Sequence, residues 1–181
     1  MQSIFFEVKT IGSGRLFIMP CPNGEQLADE MVNYMEAGFN KIVCLLENQE
    51  MMRLGVAFEP RLCLQLGMEF EHFPIPDRHT PTRHKPFHEL VEKLYQDLQH
   101  GKNVAIHCYA GIGRTGVLAG CLLIRDGMSA QDATELLSSI RGHNMPQTQE
   151  QYDFLLEWPN AAHTPHKPSS KGWFKRLLTP A

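Results

Sequence analysis

Val104-Ala-Ile-His-Cys-Tyr-Ala-Gly-Ile-Gly-Arg-Thr-Gly116 joins an apolar run to a glycine-rich turn and then to the start of a helical stretch. The run ends at Cys108, the turn holds Gly111 and Gly113, and the helix is expected to begin near Arg114. Such a strand-turn-helix unit is an anion cradle. Glycines let successive backbone N–H groups converge on one point, and the first turn of the helix adds unpaired donors and the positive end of its dipole. Tyr109, Ala110, Gly111, Ile112 and Gly113 line the cradle, and phosphate is its natural guest. Arg114 closes it with a planar fork that matches two phosphoryl oxygens, which a lysine cannot do bidentately.

A cysteine at the base of such a cradle has its thiolate favoured by the same N–H groups and dipole. An unperturbed thiol, with pKa about 8.5, is only about 3% ionised at pH 7, so this placement converts a weak nucleophile into a strong one. Cys108 is thereby positioned to attack phosphorus. His107 precedes it and is expected to point into the protein and hold the loop by hydrogen bonds. Thr115 can donate its hydroxyl to the Cys108 sulfur and stabilise it as a leaving group.

Working outward, LFIMP (16–20), KIVCLLE (41–47), MEFEHFPI (68–75) and NVAIHC (103–108) read as strands rich in Val, Ile, Phe and Leu. Helical periodicity fills 25–37, ended by Gly38, and 86–99, begun by Pro86. Beyond the cradle it fills 114–125, 129–141 and 147–157, with Ser129 and Asp132 as the capping pair of the fourth. Alternating strands and helices followed by helices predict an α/β fold, a three-layer sandwich with a central, mainly parallel sheet of four to five strands flanked by helices.

The chain of 181 residues is 43% hydrophobic, enough for one domain with a core. We place that domain at 1–158. Residues 159–181 read as a Pro-rich linker followed by a short basic amphipathic tail, KGWFKRLL, that docks on the domain or is free; a membrane contact is its alternative. With 17 Lys+Arg against 20 Asp+Glu, the net charge of -3 gives no field favouring nucleic acid. There is no apolar run of spanning length and no basic-then-apolar leader, so a soluble cytoplasmic protein is expected. Five scattered cysteines with no Cys-x-x-Cys pair argue against a disulfide framework and a structural zinc site.

The pattern His107-Cys108-x5-Arg114-Thr115-Gly116 resembles the signature of the cysteine-dependent protein tyrosine and dual-specificity phosphatases. Two further segments share the resemblance. Phe73-Pro-Ile-Pro-Asp77-Arg-His-Thr-Pro-Thr82 is similar to the general-acid loop of that family, with Asp77 at the matching position, 31 residues before Cys108. Chemistry calls for such a group, because an alkoxide is a poor leaving group without a proton. Glu71, within a strand, and Asp97, on a polar helical face, fit the role less well. Met145-Pro-Gln147-Thr148-Gln-Glu-Gln151-Tyr152-Asp-Phe154 resembles the glutamine loop, in which glutamine positions the hydrolytic water. Gln147 is the first candidate and Gln151 the second.

The resemblance implies a phosphoprotein phosphatase acting through a phosphocysteine, with a phosphorylated protein as partner and neither metal nor other cofactor. The chain is short and lacks an obvious tyrosine-bearing loop that would deepen the pocket, so phosphoserine and phosphothreonine are expected beside phosphotyrosine. A phosphoinositide or small-phosphate phosphatase is the alternative within the superfamily, weakened by a cradle without lysine; a catalytically silent phosphate-binding module is the other. His72, His79, His84 and His88 cluster in sequence, but Pro81 and Pro86 interrupt any regular ligand face. Cys121 reads as core packing, with a redox disulfide to Cys108 as the lesser reading.

Overall fold

The computed structural model describes residues 3–159. Its centre is a five-stranded sheet built from β1 (Phe6–Ile11), β2 (Gly14–Met19), β3 (Lys41–Cys44), β4 (Glu69–His72) and β5 (Val104–His107), in the spatial order β1-β2-β5-β3-β4. β5 lies between β2 and β3 and is parallel to both, β4 continues the parallel set, and β1 pairs antiparallel with β2 at the edge. The expected sandwich with a mainly parallel sheet is what forms.

Strands buried on both faces read as continuous apolar runs, and their period of two decides which residue faces which layer. Leu16, Ile18, Val43, Val104 and Ile106 pack with α4 (His84–Gln99), α5 (Gly113–Arg125), α6 (Ala130–Arg141) and α7 (Gln149–Glu157). Phe17, Met19, Ile42, Cys44 and Ala105 pack against the other layer, made by α1 (Leu27–Glu36), α2 (Asn48–Arg53) and α3 (Glu59–Gln65). By the same alternation His107 joins Ala105 on the α1 and α3 side.

Several boundaries move for local reasons. A 3-10 turn at Gly24–Gln26, capped by the Asn23 side chain, precedes α1. α4 starts two residues before Pro86, which sits in the first turn where its missing N–H is no loss. α6 is capped by Ser129, which accepts from the Asp132 N–H, and ends at Gly142 with φ +73°. α7 starts after Thr148, whose hydroxyl accepts from the Gln151 N–H, so Gln147 stands in the loop before the helix and not inside it. β1, α2 and α3 have no counterpart in the sequence reading. Among the described residues no helix is long and apolar enough to cross a membrane. The tail 160–181 lies outside the described residues.

Candidate active site

In parallel sheets the carboxyl ends of the strands open onto one edge, and ligands gather there. Four connections leave that edge, and three of them carry the site: the loop 108–112 after β5, the segment after β3 that leads into α2, and the segment 73–83 after β4.

The first is the cradle. Gly111 adopts φ +67°, and a Cβ at this position would lie 2.3 Å from the carbonyl oxygen of Met19, so only glycine fits against β2. Carbonyls of the loop are engaged outward, Tyr109 O by the Cys21 N–H at 2.9 Å and Ala110 O by Arg141 Nη2 at 3.0 Å. Among the described residues no N–H of 109–113 donates to a backbone carbonyl. Cys108 is 3% exposed at the bottom, while Tyr109 stands 58% exposed on the rim. α5 then runs away from the loop with its first residues buried.

Arg114 is where the three connections meet. Its side chain is 1% exposed. Nη1 donates to Glu50 Oε2 at 2.6 Å and to the Ile75 carbonyl at 3.0 Å, Nη2 donates to Glu50 Oε1 at 3.0 Å, and Nη2 lies 3.0 Å from Asp77 Oδ1. Arg114 Nε is buried without a hydrogen-bond partner among the described residues. Cys108 lies within electrostatic range of the guanidinium. Burial disfavours the charged form of Arg114, yet Glu50, Cys108 and Asp77 together hold its pKa above the usual value. Burial likewise pushes the Glu50 carboxyl up, but the hydrogen bonds from Arg114 and from the Glu47 N–H prevail and keep it below the usual carboxylate range. Glu50 is therefore a carboxylate throughout the neutral range. Sequence spacing gave no sign of it, since it stands 64 positions before Arg114.

The segment 73–83 carries Asp77 exposed, and Arg78 follows with φ +64°, the one positive-φ residue other than glycine among those described. The start of α7 ties this loop down: Thr148 Oγ1 donates to Arg78 O at 3.4 Å, Gln151 Nε2 to His79 O at 3.1 Å, and Thr80 Oγ1 to Glu150 Oε1 at 3.1 Å. Gln147 and Gln151 both reach the cradle, since a Cβ on Gly113 would meet Gln147 Oε1 at 3.2 Å and Gln151 Oε1 at 3.1 Å. Their situations differ. Gln151 is fully buried and its amide oxygen accepts the N–H groups of Gln147 and Thr148, whereas Gln147 is exposed.

Thr115 is fully buried and, among the described residues, its hydroxyl has no hydrogen-bond partner, so the expected bond to the Cys108 sulfur is not made in this structure. His107, fully buried too, contacts the Cys108 carbonyl through Nδ1 at 3.2 Å and Glu59 Oε1 through Nε2 at 3.1 Å. Glu59 is a second residue that the sequence reading missed. The alternatives to Asp77 are engaged elsewhere, Glu71 with Lys93 and Asp97 with Lys41 and Lys102. His72, His79, His84 and His88 do not converge: His72 meets the Leu46 carbonyl, His79 meets Glu150, His84 lies by Phe154 and His88 stacks on Trp158.

A family model described as "Polymorphic toxin system, DSP-PTPase phosphatase" matches residues 19–128. Cyclin-dependent kinase inhibitor 3 of Rattus norvegicus is 38% identical over 96 residues, 52% of this chain and 45% of that protein. The Mus musculus protein of the same name is 33% identical over 138 residues, 75% of this chain and 63% of its own length. The chain thus spans about half of the curated relatives it matches. Among solved structures, kinase associated phosphatase with its catalytic-site cysteine replaced by serine superposes with a TM-score of 0.76 at 25% identity, over 86% of this chain and 93% of that one. A family match over more than half its length makes the chain a DSP-PTPase phosphatase, a member of the cysteine-dependent protein tyrosine phosphatase superfamily.

Proposed function

We propose that the chain is a phosphoprotein phosphatase that hydrolyses phosphotyrosine, and phosphoserine and phosphothreonine beside it, through a phosphocysteine on Cys108. The observation that supports this most is the junction at Arg114. One buried guanidinium is anchored by Glu50, paired with Asp77 and within electrostatic reach of Cys108, so nucleophile, phosphoryl clamp and acid converge on one point. A module that only bound phosphate would need the cradle and not Asp77. The relatives are named as a kinase inhibitor and a kinase associated phosphatase, which supports a phosphorylated protein as the substrate class. A cradle of Tyr109, Ala110, Gly111, Ile112 and Gly113, with no lysine, speaks against phosphoinositides.

In the first step the phosphoryl oxygens take the loop N–H groups and the Arg114 fork, and Asp77, released from its ion pair with Arg114, takes a proton from solvent and moves to the leaving oxygen. The Cys108 thiolate forms the S–P bond as the ester P–O bond breaks, and Asp77 gives its proton to that oxygen. In the second step a water oriented by Gln147 loses a proton to the Asp77 carboxylate and attacks phosphorus. The S–P bond breaks and Thr115 assists the departing sulfur. Cys108 and Asp77 return to their starting states, the phosphoryl group leaves as inorganic phosphate, and no metal takes part.

The test is hydrolysis of an aryl phosphate in chelator and reductant, with vanadate as inhibitor, followed by phosphotyrosine and phosphothreonine peptides. Turnover blocked by vanadate supports the reading; binding of phosphate without turnover rejects it. Arg114→Lys is expected to lower kcat by about 10²–10³-fold, the usual cost of one preorganised donor. A point charge replaces a fork already aligned by Glu50 and the Ile75 carbonyl. Wild-type kcat in this variant would remove the fork from the mechanism.

A further inference from the structure

Behind the cradle, on the α1 and α3 side of the sheet, lies a buried ionisable group that the proposed chemistry does not use. Glu59 opens α3 and is fully buried. Among the described residues neither of its oxygens, nor His107 Nε2, has a hydrogen-bond partner, although Nε2 lies 3.1 Å from Glu59 Oε1. A buried carboxylate with one neighbour is costly unless that neighbour is a cation. His107 Nδ1 contacts the Cys108 carbonyl, where only an N–H can bond, so that nitrogen carries a proton. Nε2 then lies 3.1 Å from Glu59 Oε1, where two unprotonated acceptors repel, whereas an imidazolium and a carboxylate attract at ion-pair distance without needing hydrogen-bond alignment.

We propose that Glu59 is a positioning residue for the cradle, holding His107 as an imidazolium directly behind Cys108. The inference rests on Cys108 being the nucleophile. The ring's charge sits one residue from that sulfur, and its Nδ1–H fixes the peptide from which the cradle turns. The other titratable groups around the ring are Cys44 on β3, Cys21 after β2, Cys63 on α3 and Tyr34 on α1. Burial pushes the Cys21 thiol up and the Cys63 thiol up to about 12, and burial with the Glu30 hydrogen bond raises the Tyr34 phenol, so these three are neutral at pH 7. Burial alone would lower the His107 pKa, but Glu59, with Cys44 and Cys21 beside it, drives it well above the usual imidazole range. A raised imidazole pKa stabilises the fold fully below about 6.5, and that stabilisation is lost as the pH climbs through the folded value. The same pocket brings donor atoms of Cys44, Glu59 and His107 within 4.8 Å of one another, so a metal ion is the competing occupant.

The experiment compares wild type, Glu59→Gln and Glu59→Asp by NMR of the His107 ring, by iodoacetamide alkylation of Cys108 read by mass spectrometry, and by the pH profile of kcat/KM. In wild type the ring is expected to be an imidazolium at pH 7.5. In Glu59→Gln it becomes neutral, alkylation at pH 6 slows by about tenfold and approaches wild type above pH 8.5, and kcat/KM follows the same course. Glu59→Asp should restore part of both. A neutral ring in wild type, or stoichiometric zinc in the purified protein, overturns the proposal. So does a Glu59→Gln variant whose activity falls equally at every pH. If Glu59→Gln does not fold, the wild-type ring and metal content still decide. An inactive wild-type protein would reject the phosphatase reading yet leave the ring and alkylation results to judge this one.

Discussion

Cys108→Ser is expected to lose at least about 10³-fold in kcat toward an aryl phosphate, and as much as about 10⁶-fold, the range found when a covalent nucleophile is removed. The exchange is nearly isosteric at a side chain only 3% exposed, so packing at the end of β5 is unchanged. Its effect is on nucleophilicity. A serine hydroxyl stays protonated and attacks phosphorus far more slowly than a cysteine sulfur. Ground-state binding uses those N–H groups and Arg114, which the substitution leaves in place. The variant should therefore retain phosphate affinity and a thermal midpoint close to wild type while turnover disappears. Equal loss of binding and turnover would point to a damaged loop, and a variant with a tenth of wild-type activity would assign the nucleophile elsewhere.

Legibility of this site in the sequence followed from how local each feature is. β5, the loop and α5 form one contiguous unit, so a continuous apolar run, two glycines and an arginine announce it without any knowledge of the rest of the fold. The side on which His107 falls is legible too, because the period of two along β5 places it with Ala105. Glu50 and Glu59 were not legible. Each acts on a residue 64 or 48 positions away, and their helices, of six and seven residues, are too short to show a periodic face. The signal that Glu59 did offer was an acidic residue beside Phe58, Pro60 and Leu62, which propensity reads as a solvated turn; only the fold shows it fully buried. β1 escaped for a different reason. A register shift between Glu7 and Lys9 interrupts the alternation of FEVKTI, although Gly12-Ser13-Gly14 between two apolar runs was a usable hairpin signal. The glutamine loop was legible as a motif but not as a helix boundary, since Thr148 takes the capping position and frees Gln147.

Asp77→Ala is expected to lower kcat by about 10²–10⁴-fold for alkyl and phenyl esters, the usual contribution of a positioned acid, and far less for an aryl ester whose leaving group departs without a proton. The pH profile changes with it. In wild type, activity is expected to fall on the alkaline side as the general acid loses its proton, so removing Asp77 should flatten that limb for poor leaving groups and leave the acidic limb in place. The result is interpretable because the loop does not depend on the carboxylate for its shape. Three contacts from the start of α7 hold it, through Arg78 O, His79 O and Thr80 Oγ1, and Asp77 itself is 61% exposed. A thermal midpoint close to wild type should accompany the lost turnover. Freed from Asp77, Arg114 keeps its anchor on Glu50 and the Ile75 carbonyl, so substrate should still bind and be held without being cleaved. An alkaline limb that survives the substitution, with poor and good leaving groups slowed alike, would mean that Asp77 only steadies Arg114 and that the proton comes from another group.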